Sequence, residues 1–317
     1  MKTFKLLGLV LFGMLTAFAV VSCNSDDDNG GGGDLSTPKY ESSSALYNVT
    51  DANSDYQSIE FTASGNYIII KKVALRAPRR IAAMKKFQTG FMSQYVGMTR
   101  STIDGNIIYG TYTKNGDTYV LEGFGTIVVK GGGSSAISLD ITTTGGTKVT
   151  VGAQQQQQYS SSSMTNSLCR TWNLGKIKML ETLNGKTIFD QTFNSYADFV
   201  KALLKAEGLN PGDEWYEIQY KALVEEEPKQ VIFTKSGTYM VFYASGTLAV
   251  STWKWTDESK GEARYSWDYS SINNPNESGK IKISFSGSQL VVSEYVEEEE
   301  DGDQASVAIQ YFMSEAK

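Results

Sequence analysis

The chain has 317 residues, no histidine, two cysteines and a formal net charge of −6. An acidic balance excludes a broad phosphate-tracking surface, which needs clustered cations, so nucleic acid is not an expected partner. The missing histidines remove the commonest general base and the commonest metal ligand together, and Cys23 and Cys169 alone cannot build a disulfide framework.

At the N-terminus, Lys2 and Lys5 precede an apolar stretch from Leu6 to Val21. It falls short of the ~20 residues that a spanning helix needs, and it suits the apolar core of an export signal. The stretch ends in Val20-Val21-Ser22-Cys23. This sequence resembles the lipobox of bacterial lipoproteins: branched apolar residues, a small residue that admits the peptidase, and a cysteine whose thiol takes the lipid. The resemblance implies a signal peptide over 1–22, fatty acylation of Cys23, and a membrane as partner through that anchor. Cys169 would then be a lone thiol. Residues 23–38 are acidic and glycine-rich, a composition that resists ordering and reads as a tether. Asp26, Asp27 and Asp28 just behind the cysteine resemble the surface-export signal of Bacteroidetes lipoproteins, which implies an outer-membrane position facing the cell exterior. A solvated tether on a periplasm-facing lipoprotein is the alternative. The run lacks the spaced ligands and distal Glu of a calcium loop, so no metal site is expected.

The rest divides at residues 152–167, where Gln154–Gln158 and Ser160–Ser163 sit in a stretch without charge and read as a linker. It separates an N-terminal β domain, 39–151, from a C-terminal one, 168–317. The first domain carries a basic insertion at 71–100, including Arg76, Arg79, Arg80, Lys85 and Lys86 and no acidic residue. A helix after Pro78 is plausible there. The insertion reads either as a solvated patch balancing an acidic chain or as a contact for anionic glycans, lipopolysaccharide phosphates or a partner.

In the second domain, alternating β-branched and aromatic residues mark strands near 172–180, 187–193, 230–234, 238–243, 247–256, 263–269, 280–286, 289–296 and 305–312. Strands at hairpin spacing suggest an antiparallel up-and-down barrel or a sandwich. One helix is expected over 196–207. Ser195 caps it, Tyr196, Phe199, Val200, Leu203 and Leu204 form its apolar stripe, and Gly208 and Pro211 stop it. That helix flanks or plugs the barrel, or acts as a lid over a ligand. Glu297–Glu300 reads as a solvated hairpin tip. An internal echo links the halves: Ile59-Glu60-Phe61-Thr62-Ala63-Ser64-Gly65-Asn66-Tyr67 parallels Val231-Ile232-Phe233-Thr234-Lys235-Ser236-Gly237-Thr238-Tyr239. Gly105 also precedes Thr111-Tyr112 by the interval that separates Gly246 from Thr252-Trp253.

Leu168-Cys169-Arg170-Thr171-Trp172-Asn173-Leu174, the Phe233–Tyr239 hairpin, Thr252-Trp253-Lys254-Trp255 and the last strands together resemble the lipocalin-like (calycin-like) domains of Bacteroidetes lipoproteins. Arg170 stands where that pattern has glycine. The resemblance implies a cup whose inward side chains either fill it or line a ligand site. Trp253 and Trp255 share one strand face, and Tyr265 and Trp267 share one face of the next. These four are the candidate ligand residues, for a small hydrophobic or aromatic molecule. Packing as core is the plain alternative, and a surface glycan bound by exposed aromatics and the basic insertion is a third. No cofactor and no catalytic activity are expected: no acidic residue sits in a recognisable catalytic motif, and Cys169 has no histidine to activate it.

Overall fold

The computed structural model describes residues 44–62, 65–72, 107–131, 137–159, 162–206, 208–246, 248–266, 278–300 and 303–316. Cys23, Asp26, Asp27, Asp28, Arg76, Arg79, Arg80, Lys85, Lys86 and Trp267 lie outside these residues. The fold is mainly β, with two antiparallel domains.

The first domain is a closed eight-stranded barrel in simple up-and-down order. Its strands are β1 (Ser44–Val49), β2 (Tyr56–Thr62), β3 (Asn66–Lys71), β4 (Ile107–Asn115), β5 (Thr118–Leu121), β6 (Gly125–Lys130), β7 (Ile137–Thr143) and β8 (Lys148–Gln155). Alternation drives closure: Ile59 and Phe61, Ile127 and Val129, and Leu139 and Ile141 all point inward, into one core with Tyr47, Tyr67 and Tyr119. Phe61 stacks on Tyr119 with ring centroids 3.8 Å apart, so aromatic rings occupy the centre. The linker expected from residue 152 begins later. Gln154 and Gln155 belong to β8 and pair with Asn48 and Tyr47. The last strand must satisfy the edge of β1, and backbone groups do that whatever the side chain.

The second domain holds β9 (Thr171–Leu183), β10 (Lys186–Phe193), β11 (Pro228–Phe233), β12 (Thr238–Tyr243), β13 (Leu248–Asp257), β14 (Glu262–Ser266), β15 (Ser278–Ser286), β16 (Gln289–Glu300) and β17 (Asp303–Glu315). The order runs β9-β11-β12-β13-β14-β15-β16-β17, and β17 returns to β9 to close a second barrel. The start of β9 pairs with β11, whereas its later half pairs with β10. Between β10 and β11 lie two helices, α2 (Tyr196–Ala206) and α3 (Glu214–Glu225), and a short helix, α1 (Ser163–Leu168), precedes β9.

α2 is the helix expected from its stripe, and its N-terminus is held by Ser195, whose hydroxyl accepts from the Asp198 amide at 3.1 Å. Phe199 and Leu203 enter the barrel core, while Val200 and Leu204 pack against Tyr216 and Leu223 of α3. The sequence reading did not anticipate α3. The first helix ends at Ala206, with Gly208 at φ 79° and the Leu209 amide donating to the Leu204 carbonyl, but Asp213 starts a second whose Tyr216, Gln219 and Leu223 form a buried stripe. The acidic run Glu297–Glu300 is likewise strand and not turn, with Ser306, Ala305, Gln304 and Asp303 as backbone partners.

The two barrels repeat one construction. The strands β2-β3-β4 and β11-β12-β13 match in register: Asn66 faces Thr111 and Thr238 faces Thr252. In the first turn Gly65 adopts φ 89° and in the second Gly237 adopts φ 86°, a region that glycine enters without strain. The Thr62 hydroxyl accepts from the Asn66 amide at 3.0 Å, and the Thr234 hydroxyl accepts from the Thr238 amide at 3.2 Å. The Tyr112 hydroxyl donates to the Thr62 carbonyl at 2.7 Å, and the Trp253 indole donates to the Thr234 carbonyl at 3.1 Å. So many coincident bonds mark the sequence echo as a shared local structure.

The same hairpins join the barrels. Ile68 and Ile70 on the outer face of β3 meet Ile232, Met240, Phe242 and Val250 from β11, β12 and β13, and Tyr109 meets Phe242 edge-on at 5.6 Å. This contact explains why β3 and β12 read as continuous apolar runs: each is covered on both faces.

Candidate functional site

The two ends of the second barrel differ in chemistry. One end is closed by α1. Ser162 caps that helix, its hydroxyl accepting from the Thr165 amide at 3.0 Å, and Glu258 accepts from the Thr165 hydroxyl at 2.6 Å. The Trp172 indole donates to the Leu168 carbonyl at 2.9 Å, and the Trp255 indole donates to the Thr165 hydroxyl at 2.9 Å. Arg170, at the position where glycine was expected, forms an ion pair with Glu315 at 2.5 Å and so clasps the start of β9 to the end of β17. Tyr159 of the linker covers this end too, with its ring 4.9 Å from that of Trp253.

Three of the four candidate ligand residues can be located. Trp253 and Tyr265 are each 1% exposed and belong to the packed core, and Trp255 packs half-buried against it. Trp253 lies edge-on to both Phe233 and Trp255, at 5.7 and 5.3 Å. The structure therefore brings Trp253 and Trp255 together as the packed floor of the barrel.

The opposite half holds polar groups that the sequence reading did not single out. Along β9, Ile177, Met179 and Glu181 take successive inward positions. Glu181 lies in register between Val307 of β17 and Phe189 of β10. It is 2% exposed, and its Oε1 finds no hydrogen-bond partner among the described residues. Burial without compensation disfavours the charged form, and the carboxyl is pushed up to about 7. The rim beside it is made by the turn at Asn184 and Gly185. There the Asn184 side chain accepts from the Gln304 amide at 2.9 Å, and the Asn184 amide donates to the Gln304 carbonyl at 2.7 Å.

A second carboxylate, Glu294 of β16, sits in register between Ile281 and Ile309. It accepts from the Tyr265 hydroxyl. Gly279, opposite Tyr265, makes this bond possible, because a Cβ there would overlap the tyrosine ring. Burial, followed by the nearby Glu294, Tyr196 and Tyr243, holds the Tyr311 phenol well above its ordinary range. Burial, followed by Glu227 and Glu226, does the same for Tyr196 at the start of α2. Gln219 of α3 is fully buried, and neither of its amide atoms has a partner among the described residues.

The arrangement is acceptor-rich. It could take a donor or a cation at Glu181, beside the tyrosine and aliphatic side chains of the core. The sequence carried a signal for it: a glutamate in phase with Ile177 and Met179 is an inward carboxylate. Among the described residues no cluster of three or more acidic or cysteine side chains could hold a metal ion. No protein-family model matches the chain, and no curated protein matches it.

Proposed function

We propose that the chain is a non-catalytic, lipid-anchored outer-membrane protein whose C-terminal barrel carries a small, largely apolar ligand in the manner of lipocalin-like domains. Cys23 supplies the anchor, residues 23–38 the tether, and Asp26, Asp27 and Asp28 the signal for exposure at the cell surface. One observation carries the ligand reading: Glu181 is enclosed inside the barrel, and its Oε1 lacks a partner among the described residues. An uncompensated buried carboxylate is costly, and a bound group that satisfies it offsets that cost. The glycan alternative rests on exposed aromatics and the basic insertion; the burial of Trp253 and Tyr265 favours the carrier reading over it.

Native mass spectrometry of the chain expressed without residues 1–22 tests the reading. It predicts a small-molecule adduct, either retained from the host or acquired on mixing with long-chain amphiphiles. A bare mass under both conditions, together with retardation on polysaccharide gels, would overturn it.

A further inference from the structure

The charge inside the second barrel points to the class of ligand. Its polar half contains two carboxylates, Glu181 and Glu294, and their situations differ. Glu294 already receives the Tyr265 hydroxyl, whereas Glu181 Oε1 receives nothing among the described residues. Among the described residues, the elements around Glu181 provide no enclosed cation there. On β9, Lys176 is exposed, and Lys178 turns outward to pair with Asp190 at 2.9 Å. On β10, Lys186 is exposed at the rim turn. On β14 and β15, Arg264 alternates with the inward Ala263 and Tyr265, and Lys280 and Lys282 are exposed. On α2, Lys201 and Lys205 are exposed as well. Among the described residues, the other titratable groups in this half are the phenols of Tyr265, Tyr311, Tyr243 and Tyr196, the Glu226 and Glu227 carboxylates near Tyr196, and Asp190, which pairs with Lys178 on the outer face. The immediate neighbours of Glu181 along the inward face are Met179, Val307, Phe189 and Ala305, which donate nothing from their side chains.

We infer that the C-terminal barrel binds an amine-bearing amphiphile, with the ammonium group on Glu181 and the apolar body among the inward side chains of β9, β10 and β17. This deepens the carrier reading and rests on it. A free fatty acid would set a carboxylate against two others, and a neutral alcohol would leave the charge of Glu181 unmatched. An ammonium donates to Oε1 and neutralises it in one contact.

Dodecylamine, dodecanol and dodecanoate are suitable probes, each titrated calorimetrically below its micellar concentration into the chain lacking residues 1–22. Dodecylamine is expected to bind one per chain, at least tenfold tighter than dodecanol, with dodecanoate weakest. An alkylamine, like lysine, keeps its proton to about pH 10. Glu181, pushed up to about 7, passes from roughly one-tenth to nine-tenths ionised between pH 6 and pH 8. The amine affinity should therefore rise about tenfold over that interval while the alcohol affinity stays flat. Glu181→Gln should remove both the preference and the pH dependence while dodecanol still binds. If that variant fails to melt cooperatively, the wild-type comparison of amine and alcohol across pH decides alone. Equal binding of amine and alcohol, or an amine affinity independent of pH, would overturn the amine assignment and leave the carrier reading standing. Failure of all three probes to bind would overturn both.

Discussion

Replacing Glu181 by Gln keeps the shape of the side chain and removes its charge, so the consequence for stability depends on pH. The folded carboxyl is pushed up to about 7 from an ordinary 4.5. Between those two values the folded state binds the proton that the unfolded chain releases, so folding is favoured at low pH and loses stability as pH rises through 7. Integrated from pH 5 to pH 8.5, the loss comes to at most about 2.5 kcal/mol, which solvent screening of the carboxyl reduces to about 1–2 kcal/mol. Glu181→Gln has no such loss. Its stability relative to wild type should therefore grow by about 1–2 kcal/mol over that interval, a relative gain of roughly 2–8 °C in melting midpoint for a barrel of this size. Any fixed cost of the amide cancels in the comparison, and so do the other titrating groups, which both proteins share. The assay is urea unfolding of both proteins at pH 5 and pH 8.5, followed by tryptophan fluorescence, since all five tryptophans lie in the second domain. A difference between the two proteins that does not change with pH would refute the enclosure of Glu181 and the reasoning built on it.

Gly279→Ala places a methyl group where the Tyr265 ring lies, and overpacking of this kind should cost about 1–3 kcal/mol. An unchanged urea midpoint would mean that Tyr265 does not lie over that glycine. Phe242→Ala removes the ring that meets Tyr109 between the barrels and should cost about 3 kcal/mol. Calorimetry is expected to show one transition for wild type and two for the variant, and a single unchanged transition in the variant would contradict the inter-barrel contact. Cys23→Ala should move the protein from the membrane fraction to the soluble one, and unaltered fractionation would rule out the anchor. Alanine at Asp26, Asp27 and Asp28 together should abolish cleavage by protease added to whole cells, and full retained cleavage would discard the export signal.

Much of the fold could be read from side-chain alternation. The strand segments expected in the second domain correspond one for one to β9 through β17, and the stripe from Tyr196 to Leu204 gave the helix α2. The echo of Ile59–Tyr67 in Val231–Tyr239 located the hairpin that both barrels share, because its turn needs glycine and its bonds need threonine at fixed positions. What escaped was set by partners distant in the chain. Gln154 and Gln155 join a strand because β1 needs an edge partner. The unbroken apolar runs of β3 and β12 exist because each barrel covers the other. The aromatic set was legible as a single face, but alternation could not say whether that face was filled. Trp253 proved to be floor, held by its bond to the Thr234 carbonyl. Glu181 was in phase with Ile177 and Met179, and its charge concealed it among residues expected at the surface.

The most direct measurement is the titration of Glu181 itself. Carbon-13 chemical shifts of the glutamate side-chain carboxyls, with the resonance assigned by its absence in Glu181→Gln, report its protonation in the folded chain. A midpoint near 7 is the predicted result, and a midpoint in the ordinary range near 4.5 would contradict the enclosed, uncompensated carboxylate on which the ligand site depends.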